Sequence, residues 1–271
     1  MPELPEVETT VRGLAPVLEG RRIASIDLRR GDLRRPFPPE LRQRLTGARV
    51  TGLGRRAKYG LIDTDRGDTL VFHLGMSGTW RIDPDAIGIH DHVVIETDEG
   101  RRLALNDPRR FGSLDLVPTD RLEVTPPFVA MGPEPLGDAF DGAHLERVLD
   151  GRVAPIKAML LDQRIVAGLG NIYVCDALNL AQIHPGREAG RIARPRLDRL
   201  AESAKSVLIA AIAAGGSSLR DYVQPNGELG YFSSDWRVYG REGKPCPRCE
   251  TAIRRRVDSG RSTFFCPKCQ R

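Results

Sequence analysis

Four cysteines in the last 26 residues, Cys246-x-x-Cys249 and Cys266-x-x-Cys269 with 16 residues between the pairs, constrain this chain more than any other feature. Two CxxC knuckles at that spacing supply four thiolates, the closed tetrahedral set of a structural Zn²⁺ site. All four positions are cysteine, so no coordination position stays open for chemistry. Two disulfides are the alternative, and they belong to oxidising compartments. The segment between the knuckles, "ETAIRRRVDSGRSTFF", holds two strand-like runs around Asp258-Ser259-Gly260, a hairpin turn signal. Arg261 then falls near the hairpin tip. Arg254, Arg255 and Arg256 suit either phosphate contacts or a plain solvated strand face. The fifth cysteine, Cys175, lies in an apolar run and reads as a small core residue.

The remaining 245 residues change texture twice. "EVETTVRGLAPVLEG" places Val7, Val11, Leu14 and Leu18 on one helical stripe, with Pro5 at its start and Gly20 at its end. From about 22 to 118, short alternating or apolar runs are separated by Gly, Pro and Asp. They predict antiparallel strands in a sandwich or flattened barrel. "TPPFVAMGPEPLG" at 125–137 reads as a linker. Helical spacing follows from 138 to about 232, and Gly215-Gly216 suits a helix stop. "SSLRDYVQPNGELGYFSSD" carries a Pro-Asn-Gly turn and reads as a mobile surface loop. The expected domains are 1–124, a linker at 125–137, a helical domain at 138–237 and a Cys-rich unit at 238–271. The fold class is α+β.

No run approaches the roughly 20 apolar residues that span a bilayer. The N-terminus has no basic region ahead of an apolar core, so no secretory signal is read, and a soluble intracellular protein is expected. Lys and Arg exceed Asp and Glu by 41 to 36, a net +5 that permits a nucleic-acid partner without requiring one. "VAGLGNIYV" sets two glycines before Asn171 between helical segments. The backbone there can approach a ligand closely, and the next helix offers free N–H groups to an anion. A plain packing turn is the simpler reading.

Taken together these pieces resemble the bacterial formamidopyrimidine-DNA glycosylases, enzymes that remove 8-oxoguanine and ring-opened purines. The resemblance runs through "MPELPEVE", "RRAKY" at 55–59, "HLGMSG" at 73–78, "HDH" at 90–92, "DPRRFG" at 107–112, "GPEPL" at 132–136, "GLGNIY" at 168–173 and "GRSTFFCPKCQ". It implies an N-terminal antiparallel β-sandwich domain with a helix at its start. It further implies a helix-two-turn-helix domain bearing a four-cysteine zinc-finger hairpin, with damaged double-stranded DNA in the cleft between them. The sister family of endonuclease VIII type prefers oxidised pyrimidines. "LPEVE", with Leu4 where that family has glycine, "GMSG" and "DPRRFG" favour the purine enzyme.

The resemblance also implies roles. Loss of Met1 ahead of a small residue makes Pro2 the terminus, with a secondary amine whose pKa, about 8, leaves an appreciable neutral fraction. Pro2 becomes the nucleophile at C1′, and its iminium is an electron sink for β,δ-elimination. Glu3 is implied as general acid/base. Glu6 suits support of the site or the helix dipole alone. Lys58 and Arg261 are implied to contact lesion phosphates and assist elimination. His90, Arg152 and Asn171 are implied DNA contacts. Met76, Arg109 and Phe111 are implied to fill the hole left by the flipped nucleotide, with Arg109 facing the orphaned cytosine. Ser217, Ser218 and Tyr222 fall in the implied base-capping loop. Cys246, Cys249, Cys266 and Cys269 are the implied ligands of one structural zinc. No other cofactor and no membrane contact is expected, and a monomer is. A non-catalytic zinc-ribbon DNA-binding protein is the reading from another class, and it would not need Pro2 and Glu3.

Overall fold

The computed structural model describes residues 2–217 and 224–271; Met1, Ser218 and Tyr222 lie outside the described residues. The chain divides into two compact units, one of residues 1–129 with 214–231, the other of residues 130–213 with 232–271.

The first unit opens with α1 (Leu4–Leu18). Glu6 closes a capping box at its start, Oε2 accepting the Glu3 N–H at 2.8 Å. The predicted stripe is real: Val7, Val11, Leu14 and Leu18 are all buried. The chain leaves the helix through Gly20 at φ +77°, a left-handed position where Gly escapes the Cβ penalty.

Two antiparallel sheets follow. One orders β1 (Ile23–Leu28), β6 (Asp91–Thr97), β7 (Arg102–Asn106) and β5 (Thr79–Ile82). The other orders β2 (Val50–Arg56), β3 (Tyr59–Thr64), β4 (Asp68–His73) and β8 (Ser113–Pro118). A short helix, α2 (Leu41–Leu45), lies between β1 and β2 in the chain. Both sheets and α1 bury side chains in one cluster, which includes Val11, Leu14, Ile26, Ile62, Leu70 and Val93. Phe72 of β4 meets Trp80 of β5 edge to face at 5.7 Å, joining the two sheets. Gly60 pairs with Phe72 across β3 and β4, and a Cβ there would sit 2.0 Å from the Phe72 ring. Only glycine leaves room for that ring.

The sequence placed 214–217 and 224–231 in the helical domain, whereas these residues contact α1 and β5 of the first unit. The Ser217 N–H donates to Glu6 Oε1 at 2.8 Å, the Ile82 N–H donates to the Pro225 carbonyl at 3.0 Å, and the Pro225 ring faces Gly13. The Pro-Asn-Gly stretch is a closed turn, with the Gln224 N–H donating to the Glu228 carbonyl at 2.8 Å. Within 125–137, Phe128 is buried and packs edge-on against Tyr59 at 5.3 Å.

The second unit holds α3 (Gly142–Leu149), α4 (Ile156–Leu161), α5 (Asn171–Leu180) and α6 (Arg194–Ala213). Asp141 caps α3 through the His144 N–H at 2.7 Å. α6 packs against both α3 and α5. Beyond it stand β9 (Arg254–Asp258) and β10 (Arg261–Phe265), an antiparallel hairpin turned by Ser259 and Gly260. Both turn residues have positive φ, 47° and 75°, as a two-residue hairpin turn requires.

α5 anchors the C-terminal module. Asp176, fully buried, accepts the N–H groups of Arg237, Val238 and Tyr239 at 3.0–3.1 Å. Burial pushes its carboxyl up in pKa against those three donors. Gln270 ties the last knuckle to the same helix, its Oε1 accepting from Cys266 N and Asn179 Nδ2. Cys175 of α5 is a core residue, as expected, packed with Val238, Cys246 and Phe264.

Candidate functional site

In the first unit the residues singled out by sequence collect at the head of α1 and at three turns. Pro2 is buried, and Glu3, 2% exposed, is the N-cap of α1. Glutamate is an uncommon N-cap, since its longer side chain meets the first-turn N–H groups less readily than Ser or Asp does. Glu6, equally buried, spends one carboxylate oxygen on the Glu3 N–H and the other on the Ser217 N–H. One side chain thus ties the third residue of the chain to a segment more than two hundred positions away.

Lys58 lies in the β2–β3 turn beside Ala57, whose φ of 54° is unusual for a residue with a Cβ. The turn is held by Arg55, which donates to the Ala57 carbonyl and, through Nε, to Glu8 of α1 at 2.9 Å. Burial raises the Glu8 pKa, but the Arg55 and Arg12 guanidiniums outweigh it and hold the carboxyl below its ordinary value. Lys58 is itself buried. Its charge reaches His73, where burial first, then Lys58, Arg34 and Arg35, lower the imidazole pKa to about 4. His73 is therefore neutral near pH 7. Its Nδ1 accepts the Gly75 N–H at 3.0 Å and so fixes the start of the 74–78 turn.

That turn meets the 107–112 turn backbone to backbone. A Cβ on Gly75, at φ +62°, would lie 2.3 Å from the Phe111 carbonyl carbon. Asp107, wholly buried, organises both turns: it accepts Ser77 Oγ at 2.7 Å and the Gly112 N–H at 2.8 Å. The Arg109 N–H donates to Ser77 Oγ at 3.3 Å. The result displays Met76, 37% exposed, and Phe111, 44% exposed, with the Arg109 guanidinium 5.0 Å over the Phe111 ring. His90 is exposed, and its carbonyl accepts the Asp107 N–H at 3.0 Å. Ser217 is buried.

In the second unit, Asn171 opens α5 behind Gly168 and Gly170. Its Nδ2 donates to the Ser262 carbonyl of β10 at 2.9 Å, and its buried Oδ1 has no partner among the described residues. Lys157 of α4, which sequence reasoning missed, donates to the same carbonyl at 3.2 Å and to Thr263 Oγ1 at 2.6 Å. Burial lowers its pKa. A cleft of about 540 Å³ runs along this junction, lined by Lys157, Ala158, Pro185, Asp258, Ser259 and Arg261. Arg261 is exposed beside the hairpin turn, and Arg152 is exposed after α3. Only "PIKAM", a lysine inside an apolar helical run, could have flagged Lys157.

The four knuckle cysteines are free of disulfides, and one ligand atom from each lies within 4.8 Å of the others. Cys249 and Cys266 Sγ are 3.5 Å apart. A zinc tetrathiolate with Zn–S near 2.3 Å has sulfur–sulfur edges of about 3.8 Å, so the set fits one zinc ion. Burial and the neighbouring thiols push Cys269 up to about 12. A divalent cation removes that mutual repulsion and lets all four ionise.

Three family models match the chain. The formamidopyrimidine-DNA glycosylase N-terminal domain matches residues 1–114, the H2TH domain of that enzyme matches 131–223, and the zinc finger found in FPG and IleRS matches 243–271. Formamidopyrimidine-DNA glycosylases of Rhizorhabdus wittichii and Novosphingobium aromaticivorans are 71% and 65% identical, each over 100% of both chains. Among solved structures, the MutM (FPG) protein from Thermus thermophilus is 40% identical with a TM-score of 0.90, covering 99% of this chain and 98% of that one. A Lactococcus lactis FPG mutant complexed with Fapy-dG containing DNA is 37% identical with a TM-score of 0.91, covering 100% of both.

Fold and matches together define a DNA glycosylase of base excision repair that is also an abasic-site lyase. The chain belongs to the formamidopyrimidine-DNA glycosylase family. Among the described residues, no helix is long and apolar enough to cross a membrane.

Proposed function

We propose that this chain excises oxidised purines, 8-oxoguanine and formamidopyrimidines, from duplex DNA and then cuts the strand, with Pro2 as nucleophile. The observation that carries the reading is Pro2 set directly before a buried Glu3, at a helix head that Glu6 ties to Ser217. A buried, braced terminus is unusual, because chain ends are ordinarily frayed. Damaged-base DNA in the Lactococcus lactis complexes supports the choice of substrate.

With Met1 removed, the Pro2 nitrogen attacks C1′ of the damaged nucleotide. The glycosidic bond breaks and the base leaves with a proton. Glu3 donates a proton to the ring oxygen as the sugar opens, leaving an iminium between Pro2 and C1′. Loss of a C2′ proton expels the 3′ phosphate, and a second elimination expels the 5′ phosphate. Water then hydrolyses the Pro2 iminium and releases the sugar remnant as an unsaturated aldehyde, leaving a one-nucleotide gap with phosphates at both ends. Lys58 and Arg261 hold the flanking phosphates and assist the eliminations. His90, Arg152 and Asn171 grip the backbone. Met76 and Phe111 enter the vacated stack, and Arg109 reads the orphaned cytosine. Ser217, together with Ser218 and Tyr222 outside the described residues, belongs to the base-capping segment. Cys246, Cys249, Cys266 and Cys269 hold one zinc, which keeps the hairpin folded and takes no part in the reaction. The protein acts as a monomer on the DNA of the bacterial cytoplasm.

Borohydride trapping tests this. The processed protein, incubated with a duplex bearing 8-oxoguanine opposite cytosine, should give a covalent band whose cross-link maps to Pro2. Glu3→Gln should lower the excision rate by roughly 10²-fold or more. A band with thymine glycol alone would move the substrate to pyrimidines. Binding with no trapping on any damaged duplex would sink the catalytic reading.

A further inference from the structure

The second unit carries another cleft, of about 480 Å³, that shares no residue with the one beside Arg261. Five cations line it: Arg196 and Arg199 from the first turns of α6, Arg248 and Lys268 from the two knuckles, and Arg271. Four of the five are exposed and Arg196 is half-buried. Elsewhere this protein pairs its arginines readily. Arg194, on the same helix, bonds Asp198 at 2.8 Å and reaches Glu146 at 3.3 Å. Among the described residues no Asp or Glu side chain pairs with any of the five cations of the cleft. Among the described residues, Arg196 donates to the main-chain oxygens of Gln182 and Arg271. Burial first, then the charges of Arg187 and Arg199, lower its pKa.

The helix adds to the field. α6 has no acidic residue in its first turn, and Arg196 and Arg199 of its first two turns line the cleft. Such an arrangement is unfavourable until an anion arrives. Cys249 and Cys269 belong to a tetrathiolate that stays anionic with zinc bound, and Arg196 bonds an oxygen of Arg271, the last residue of the sequence, but the five cations of the wall exceed this negative charge. Among the lining residues there is no aromatic or aliphatic side chain for a base to stack on, nor a side-chain carboxylate to read base donors. Four guanidinium forks match phosphate oxygens in pairs. The chemistry selects phosphodiester backbone without sequence.

We propose that this cleft is a second DNA site, taking the phosphate backbone of a duplex segment other than the one being repaired. It would let the protein touch a second stretch of DNA while engaged on the first, the arrangement that transfer between segments requires. The inference rests on the proposed DNA activity above.

The test uses the zinc-loaded full chain on an immobilised duplex with a tetrahydrofuran abasic analogue, and measures capture of a second, fluorescent, undamaged duplex. The wild type should capture it in low salt. The triple variant R199Q/R248Q/K268Q should capture it at least fivefold less, with a log–log salt slope smaller by roughly 2–3. Its excision on a short lesion duplex should stay within twofold of wild type. Arg199→Glu, on α6 and outside both knuckles, should lower capture with zinc content unchanged. Equal capture by wild type and triple variant would overturn the proposal. So would loss of capture only where zinc is lost, because the cations would then serve the tetrathiolate. Inorganic polyphosphate bound at the cleft with no second duplex captured would also overturn it, in favour of a free-phosphate site. Failure of excision in every protein, with capture intact, would count against the catalytic reading instead.

Discussion

The N-terminal sheets and the C-terminal zinc module solve the same problem by different means. Each must hold exposed, polar or apolar side chains at the tip of a turn. In the first unit, a large apolar cluster fed by both sheets and α1 fixes the scaffold. The turns then need only a few hydrogen bonds to buried side chains, those of Glu6, His73 and Asp107. The module beyond α6 has no such reserve. Its buried cluster is Cys175, Val238, Cys246, Ile253, Phe264 and Cys266, and two of these are knuckle cysteines. Core and metal site are there the same object. A segment this short cannot bury enough apolar surface to offset its own ordering, so a metal has to contribute.

The sharpest way to break this comparison is to remove the metal. A chelator, or Cys246→Ser, should unfold the hairpin and abolish stable DNA binding, because apparent zinc-binding free energies in such modules are about 10–16 kcal/mol at neutral pH. Limited proteolysis should cut within 243–271 while residues 2–129 stay protected. Loss of protection in both regions would mean that the sheets also depend on zinc.

A smaller effect probes the hydrogen-bonded turns. Asp107→Ala strands the buried Gly112 N–H and releases Ser77, at a cost of about 3 kcal/mol. Urea unfolding should show that loss, and the 107–112 amides should exchange faster. A change below about 1 kcal/mol would show that backbone contact between the two turns suffices.

The smallest effect at neutral pH belongs to His73. Its folded pKa of about 4 lies below the ordinary 6.5, so the unfolded chain takes up the proton first. The stability it contributes is complete above pH 6.5 and is lost as pH falls toward 4. The full loss is roughly 3 kcal/mol at the acid end. Between pH 7 and 4.5, the urea midpoint of the wild type should fall more than that of His73→Gln. Parallel curves would mean that His73 titrates normally.

Much of the candidate site was legible because the cues were local. The α1 stripe, the Cys pairs and the Asp258-Ser259-Gly260 turn each lie within one element or one short spacing. Phe111 sits between Arg110 and Gly112, a poor setting for a core residue, and it stands exposed. Within the strand-rich stretch 22–118, the bounds of β2 and β3 are hard to read, because "VTGLGRRAKYG" mixes glycine and arginine and its strands alternate weakly between buried and exposed. β5 is only four residues long. Lys157 gave no sign beyond a charge in an apolar run.

By itself, the sequence determined the helix that carries Pro2 and Glu3, the two-texture layout, the hairpin and the four-thiolate set. Periodicity, turn chemistry and ligand spacing act over a few residues, and a linear reading captures them. Only the tertiary structure decided that Glu6 braces Ser217, that His73 is held neutral by burial and nearby cations, and that α6 and both knuckles surround one basic cleft. Those facts depend on burial and charge brought together across long stretches of chain, where desolvation and Coulomb terms follow distance in space and not separation in sequence.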